Sequence, residues 1–326
     1  MTLHTTDDFL HLPDTTLEAL GIPPAEIADA IEKALIAKSE GRLHVTPKSA
    51  LLPGEGRYMM STLAVGDEGL TVLKTVAVCP ENPGRGLPAI NGAIMVLDAE
   101  TGLLKAVMGA NWITAHRTAA LSAVAARRLA DPASTTIGFI GCGVQAQSHL
   151  TAFKDMFPLT QALAHGRGEA NRNALLDAAR RNGLEAEAAP SDEILQKADI
   201  LVTSVTLDYS IEPFLDARLM KPNAFAAITD LCIPWLPASM GHFQTIVIDD
   251  MEQERASDKP MVAAETIAGD LTDLVTGKVA NIARPAAFAF RGMALGDYAA
   301  AALALARAEA QGAGQRILPQ PMDTAP

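Results

Sequence analysis

Thr135-Thr-Ile-Gly-Phe-Ile-Gly-Cys-Gly-Val-Gln-Ala146 carries an apolar run, Ile137 to Ile140, into the pattern Gly141-x-Gly143-x-x-Ala146. Gln147-Ser-His-Leu150 then opens a helix-like stretch. A buried parallel strand feeds a glycine-rich turn and a helix N-terminus in this way. Gly141 permits the tight turn, Gly143 lets the backbone approach a pyrophosphate, and Ala146 allows the helix to pack closely on its strand. The start of the helix favours the phosphate charge. Gly141, Gly143, Val144, Gln145 and Ala146 are therefore the expected cofactor-binding residues of the turn.

Outward from this turn, strand and helix alternate. Strands are expected at 136–140, 161–165, 184–188, 199–205, 224–229 and 245–249, and helices at 145–155, 169–182 and 191–197. That order suits a doubly wound parallel sheet, an α/β fold of the Rossmann kind. An alanine-rich helix over 113–130, stopped by Asp131-Pro132, precedes it. Before that helix the pattern differs. Residues 15–40 read as one or two helices, with Pro23-Pro24 at a helix start. Short apolar segments follow at His44–Val45, Arg57–Ser61, Leu70–Val78, Ala93–Asp98 and Leu103–Met108, with Asp98-Ala-Glu-Thr-Gly102 as a hairpin connection. This is an antiparallel meander, not βαβ, so a different, α+β domain precedes the glycine turn. Helices are expected again at 262–279 and 288–311, and the proline-bearing tail from Leu318 reads as frayed.

The 326-residue chain is 49% apolar and 20% charged, ordinary for a folded protein. Its net charge of -12 argues against nucleic acid or an anionic membrane as partner. Cys79, Cys142 and Cys232 form no C-x-x-C, which fits a reducing cytoplasm, and the first residues lack the basic and apolar regions of a signal peptide. The seven histidines show no zinc-ligand spacing, so no metal is expected.

The end of the second parallel strand bears on the cofactor. An NAD site often places a carboxylate there for the ribose 2′-hydroxyl. The sequence reads Ala164-His165-Gly166-Arg167-Gly168 instead. Arg167 could receive a 2′-phosphate, lie along the adenine, or be a solvated loop arginine, so either NAD or NADP is expected.

Three further stretches join the glycine turn: Thr114-Ala-His-Arg-Thr-Ala-Ala120, Ile246-Val-Ile-Asp-Asp-Met-Glu-Gln253 and Gly292-Met-Ala-Leu-Gly-Asp297. Together these resemble the ornithine cyclodeaminase/μ-crystallin family from about residue 40 to 310. The resemblance implies a homodimer that handles an amino acid and its imine with a nicotinamide cofactor, with residues 1–112 and 288–326 as the substrate-binding and dimerisation domain and 113–287 as the Rossmann dinucleotide-binding domain. Family members include cyclodeaminases, alanine dehydrogenase, ketimine reductases and iminosuccinate reductase.

The resemblance implies roles for particular residues. Arg117 matches a carboxylate-binding arginine, and a guanidinium fork suits a bidentate carboxylate. The adjoining Thr118 falls with the cofactor-binding residues. Lys74, in the apolar strand Val72-Leu-Lys-Thr-Val-Ala-Val78, matches an active-site lysine. It could hold the carboxylate or donate a proton, or be an edge lysine reaching water. Arg42 aligns with another carboxylate contact of the family and Lys48 with a commonly basic position, and either could equally lie on the surface. Asp230, after the strand ending at Thr229, matches the catalytic aspartate that contacts the reacting nitrogen, and stands among the cofactor-binding residues too. Pro83-Gly-Arg-Gly-Leu-Pro88 reads as a surface turn that could cover the substrate.

One departure is informative. Cyclodeaminases of this family place a glutamate for the distal amine of ornithine where this chain has Arg57 or Tyr58, in Gly56-Arg-Tyr-Met-Met-Ser61. A guanidinium would repel that amine and receive a second carboxylate. The expected reaction is therefore NAD(P)H-dependent reduction of an imino acid, most specifically iminosuccinate to L-aspartate. The alternatives are an ornithine or lysine cyclodeaminase that recycles NAD, and a non-catalytic crystallin-like binding protein.

Overall fold

A computed structural model describes residues 8–318. The expected fraying of the tail falls almost wholly outside them. The chain divides into two compact units: residues 8–30, 37–114 and 293–318 form one, and 31–36 with 115–292 form the other.

The first unit begins with β1 (Phe9–Leu12), α1 (Asp14–Ala19) and α2 (Pro24–Ser39). Strands β2 (Leu43–Val45), β3 (Ser49–Gly54), β4 (Arg57–Gly66), β5 (Leu70–Val78), β6 (Ile90–Asp98) and β7 (Leu104–Gly109) follow, and α3 (Ala110–Leu129) leads into the second unit. The run from β4 to β7 is an antiparallel meander. Asp98 turns the β6–β7 hairpin by accepting from Thr101. In β5 the buried positions Leu70, Val72, Lys74 and Val76 alternate along one face, as a half-covered strand requires.

The second unit contains β8 (Thr136–Ile140), α4 (Val144–Lys154), β9 (Gln161–His165), α5 (Glu169–Arg181), β10 (Glu185–Ala188), α6 (Ser191–Lys197), β11 (Ile200–Thr203), β12 (Phe225–Ile228), β13 (Thr245–Ile248), α7 (Met251–Arg255), β14 (Ile267–Asp270), α8 (Leu271–Val275) and β15 (Ala286–Ala289). All eight strands are parallel, in the order β10-β9-β8-β11-β12-β15-β13-β14. β8, β11, β12, β13 and β15 are nearly continuous buried apolar runs, as a sheet covered on both faces demands. The strand order reverses between β8 and β11, which opens a crevice at their carboxyl ends.

The chain returns to the first unit with α9 (Ala294–Gln311) and β16 (Gln315–Ile317), which pairs with β1. α9 packs against β4 and β5.

Several expectations need correction. The helix expected at 288–311 starts only at Ala294, because Ala286–Ala289 is a strand. Its alanines and phenylalanine lack β-branching and read as helix, but a fully buried slot between β12 and β13 overrides that propensity. A boundary at 287/288 would cut this strand, and the second unit runs on to Gly292. The helix expected at 262–279 is a short 3-10 turn, then β14, then α8, interrupted at Gly269 and Gly277. β1, β3 and β16 were not anticipated; each has only three to six residues. Among the described residues, no helix is long and apolar enough to cross a membrane.

Candidate active site

The glycine turn occupies the carboxyl end of β8, at the crevice. Gly141 has φ +93, and a Cβ there would lie 2.4 Å from the Ser204 carbonyl oxygen. Both constraints require glycine. At Gly143 an added Cβ would meet nothing within 4 Å, so the space over the turn is open. Gly143 begins α4 without a side-chain cap, Val144 beside it is 68% exposed, and Ala146 is buried against the sheet. The buried Oε1 of Gln145 has no hydrogen-bond partner among the described residues. An uncapped helix start below open space fits the pyrophosphate of a dinucleotide, whose oxygens would accept the first N–H groups of α4.

Cys142 lies within the turn, its Sγ 3.3 Å from the His165 carbonyl oxygen, and burial pushes its thiol up to about 11. It is not placed for nucleophilic work. Beyond β9, the Gly166–Gly168 turn carries Arg167 and leads into α5. Arg172 reaches back from α5, its Nη1 donating to the Gly166 carbonyl at 3.4 Å. No carboxylate occupies residues 164–168.

Asp230 follows β12 at the same carboxyl edge and is 1% exposed. Its Oδ1 accepts from the Thr203 hydroxyl at 3.1 Å and its Oδ2 from the Val205 N–H at 3.1 Å. Burial pushes the Asp230 carboxyl up to about 7, against the opposing pull of those two donors. A group that changes charge near neutral pH can give or take a proton with little driving force in either direction. In the same unit, α3 presents Arg117, 3% exposed, with its guanidinium carbon 5.1 Å from the Phe290 ring centroid. Thr118 is buried beside it and His116 is half-buried.

In the first unit Lys74 is completely buried rather than an edge lysine reaching water. β5 pairs on both sides, setting Lys74 opposite Thr62 of β4 and Ile94 of β6. Its Nζ donates to Asp297 Oδ1 of α9 at 2.6 Å, and the Thr62 hydroxyl donates to the other oxygen at 3.0 Å. Asp297 ends the Gly292–Asp297 stretch, and the resemblance gives it no role. Its signal was an acid in an alanine-rich, apolar helix. Burying a charge there is costly without a partner, so the partner had to be another buried charge.

The other expected substrate residues lie nearer solvent. Arg42 is half-exposed and already binds Glu40, from Nε at 2.9 Å, and Asp67. Arg57 sits at the tip of the β3–β4 hairpin, with Nε 3.4 Å from the Gly54 carbonyl and a guanidinium nitrogen 3.4 Å from Glu55. Lys48 lies over the Tyr58 ring, 5.8 Å from its centroid. Pro83–Arg85 is part of an exposed 3-10 turn.

Known proteins of similar sequence and fold share this arrangement of elements. Alanine dehydrogenase of Archaeoglobus fulgidus is 28% identical over 77% of this chain and 80% of its own. Mouse ketimine reductase mu-crystallin is 28% identical over 75% of this chain and 78% of its own. An archaeal alanine dehydrogenase dimer with bound NAD, 26% identical, superposes with a TM-score of 0.85 over 95% of this chain and 99% of its own. The family model for ornithine cyclodeaminase/mu-crystallin matches residues 18–312, and the chain belongs to that family.

Proposed function

We propose that this chain reduces an imino acid to an L-amino acid with NADH or NADPH, and that its preferred substrate is the dicarboxylic imine iminosuccinate, giving L-aspartate. The observation that carries the reductase reading is Asp230. It is a buried carboxyl whose charge changes near neutrality, at the sheet edge that also bears the glycine turn. The relatives that reduce ketimines or dehydrogenate alanine support the same class of chemistry.

A nicotinamide held at this turn would supply a hydride to the imine carbon and would itself be oxidised. The residues of this chain do the rest. The turn from Gly141 to Ala146 and Thr118 hold the dinucleotide, with Arg167 toward its adenosine end. Arg117 binds the α-carboxylate through its guanidinium fork. In the first unit Lys74, oriented by Asp297 and Thr62, is held as a buried cation suited to a carboxylate. Asp230 carries the proton that the imine nitrogen needs. In the direction of reduction, one hydride and one proton would convert the C=N bond to CH–NH.

The dicarboxylic preference rests on Arg57, with Arg42 as a second candidate. Arg57 would exchange Glu55, and Arg42 would exchange Glu40 and Asp67, for a carboxylate of the substrate. A homodimer is part of the same reading. β3 is exposed along its whole length, with Leu51 71% and Leu52 79% exposed on an edge strand, a surface that association would cover.

The test follows NADH and NADPH oxidation with oxaloacetate, pyruvate or glyoxylate in the presence of ammonia. The expected order has oxaloacetate first, and Arg57→Glu lowers the oxaloacetate rate about tenfold or more relative to pyruvate. No reduction of any of the three imines would remove the reductase reading. Release of ammonia and proline from ornithine without added reductant would put a cyclodeaminase in its place. An unchanged ratio in Arg57→Glu would remove the second-carboxylate role.

A further inference from the structure

We propose that Thr203, backed by Trp235, is a positioning residue that aims the Asp230 carboxyl and fixes the polarity of its hydrogen bonds. This rests on the reading that Asp230 serves imine reduction.

The argument begins with what each group can donate. The Trp235 indole N–H is a donor only. It is 1% exposed, and its Nε1 points at the Thr203 hydroxyl oxygen at 3.4 Å. Accepting that bond leaves the Thr203 hydroxyl hydrogen for Asp230 Oδ1, 3.1 Å away. The Val205 N–H, also a donor only, takes Oδ2. Both oxygens of Asp230 are thus acceptors, and the plane of the carboxyl is set at two points.

The parts of this relay are themselves held. Thr203 ends β11 in register with Ile228 of β12, and its carbonyl accepts from both the N–H and the hydroxyl of Thr229, each at 2.9 Å. The indole packs edge-on against Phe243 at 5.5 Å, and its backbone bridges to Leu215. Between Asp230 and Trp235 the chain turns through Leu231 and Cys232, at φ 57 and 58. Two successive non-glycine residues in the left-handed region are costly, and such strain persists only where the surroundings over-determine it. Here that turn brings the indole back beneath Thr203.

The strand end also reaches the cofactor turn. Ser204 donates its N–H to the Ile140 carbonyl at 2.8 Å and its hydroxyl to the Gly141 carbonyl at 3.3 Å. Thr203, Ser204 and Val205 therefore set the spacing between the glycine turn and Asp230 with three consecutive residues.

The test uses the full chain with carboxyl-labelled aspartate, titrated by carbon NMR from pH 5 to 10. The Asp230 signal is identified by its loss in Asp230→Asn. Thr203→Val removes a donor that favours the carboxylate, so the midpoint should rise by about one pH unit. The descending limb of kcat should move with it. kcat at pH 7 should fall roughly tenfold while KM stays within about twofold. Thr203→Ser restores both. Trp235→Phe, which keeps an aromatic ring in place, shifts the midpoint in the same direction by less. An unmoved midpoint in Thr203→Val, or in Trp235→Phe should the valine variant fail to fold, overturns the proposal even if Asp230→Asn is inactive. Full kcat in Asp230→Asn instead overturns the assignment of Asp230 to the reaction, and with it the catalytic purpose of the relay.

Discussion

Each unit buries an ionisable side chain, and the two are treated in opposite ways. In the first, Lys74 meets Asp297 across 223 residues of sequence, and both side chains are nearly inaccessible at 0% and 2%. In the second, the donors that reach the Asp230 carboxyl are neutral: the Thr203 hydroxyl, the Val205 N–H and its own backbone N–H. A charge balanced by its opposite serves as a fixed electrostatic feature. A buried acid met only by dipoles is left near its ionisation midpoint, and burial sends Asp230 to about 7. The contrast fits the different work proposed for the two groups, a stationary cation at Lys74 and a mobile proton at Asp230.

The largest expected effect breaks the balanced pair. Lys74→Met strands the Asp297 carboxylate in the interior and should cost about 3–5 kcal/mol of unfolding free energy at pH 7. The double variant Lys74→Met with Asp297→Leu should recover most of that loss, because an apolar pair of similar volume leaves no buried charge. Denaturant unfolding of the two single variants and the double variant measures it. Equal destabilisation in Lys74→Met and the double variant would mean that packing of the long side chain, not charge balance, sets its cost.

The second effect concerns the unbalanced acid and has the opposite sign. The folded-state pKa of Asp230 is raised from 3.8 to about 7. The folded state therefore holds the proton more tightly than the unfolded state. The contribution to stability is full below about pH 4 and is lost as pH rises toward 7. Asp230→Asn should thus be more stable than the parent at pH 8 than at pH 4, by at most roughly 4 kcal/mol. An equal difference at both pH values would contradict a raised native pKa. Such a variant gains stability and loses turnover, as expected where a site keeps a costly group for its chemistry.

The same contrast shows what the sequence could and could not reveal. The glycine turn was legible because its constraints are local: Gly141 and Gly143 state backbone needs that neighbours three residues away confirm. The parallel sheet was legible because buried strands are continuous apolar runs. β15 was not, since Ala-Ala-Phe-Ala acquires strand character only from the two strands that enclose it. Lys74 drew notice as a charge in an apolar strand, yet its partner, 223 residues later, could not be read from spacing. By sequence alone Arg42 and Arg57 are cations that could receive a substrate carboxylate. The fold supplies carboxylates for both, Glu40 and Asp67 for one and Glu55 for the other, and loop geometry of that kind is invisible to pattern. The relay behind Asp230 likewise joins Thr203 to Trp235 through a turn that residue preferences would not select.

The smallest expected effect comes from a second buried titratable group in the same unit as Asp230. His149 on α4 is fully buried, its Nε2 2.9 Å from the Ser122 hydroxyl of α3 and its Nδ1 2.7 Å from the Gln145 carbonyl. Burial lowers its pKa from 6.5 to about 4, only partly opposed by the Gln145 carbonyl. The native ring is neutral where the unfolded ring would take a proton. This group's contribution to stability is therefore present above about pH 6.5 and lost as pH falls toward 4. Asp230 weakens the unit as pH rises through the same range and His149 weakens it as pH falls, so the two slopes partly cancel in the parent. His149→Gln removes one of them. Its unfolding free energy, measured between pH 4 and 7, should lose an acid-side penalty of up to roughly 3 kcal/mol and retain the decline on the alkaline side that Asp230 causes. If the pH dependence of the unfolding free energy between pH 4 and 7 is the same in His149→Gln as in the parent, His149 does not contribute to it, and α4 is held to α3 by contacts that do not depend on the neutral ring.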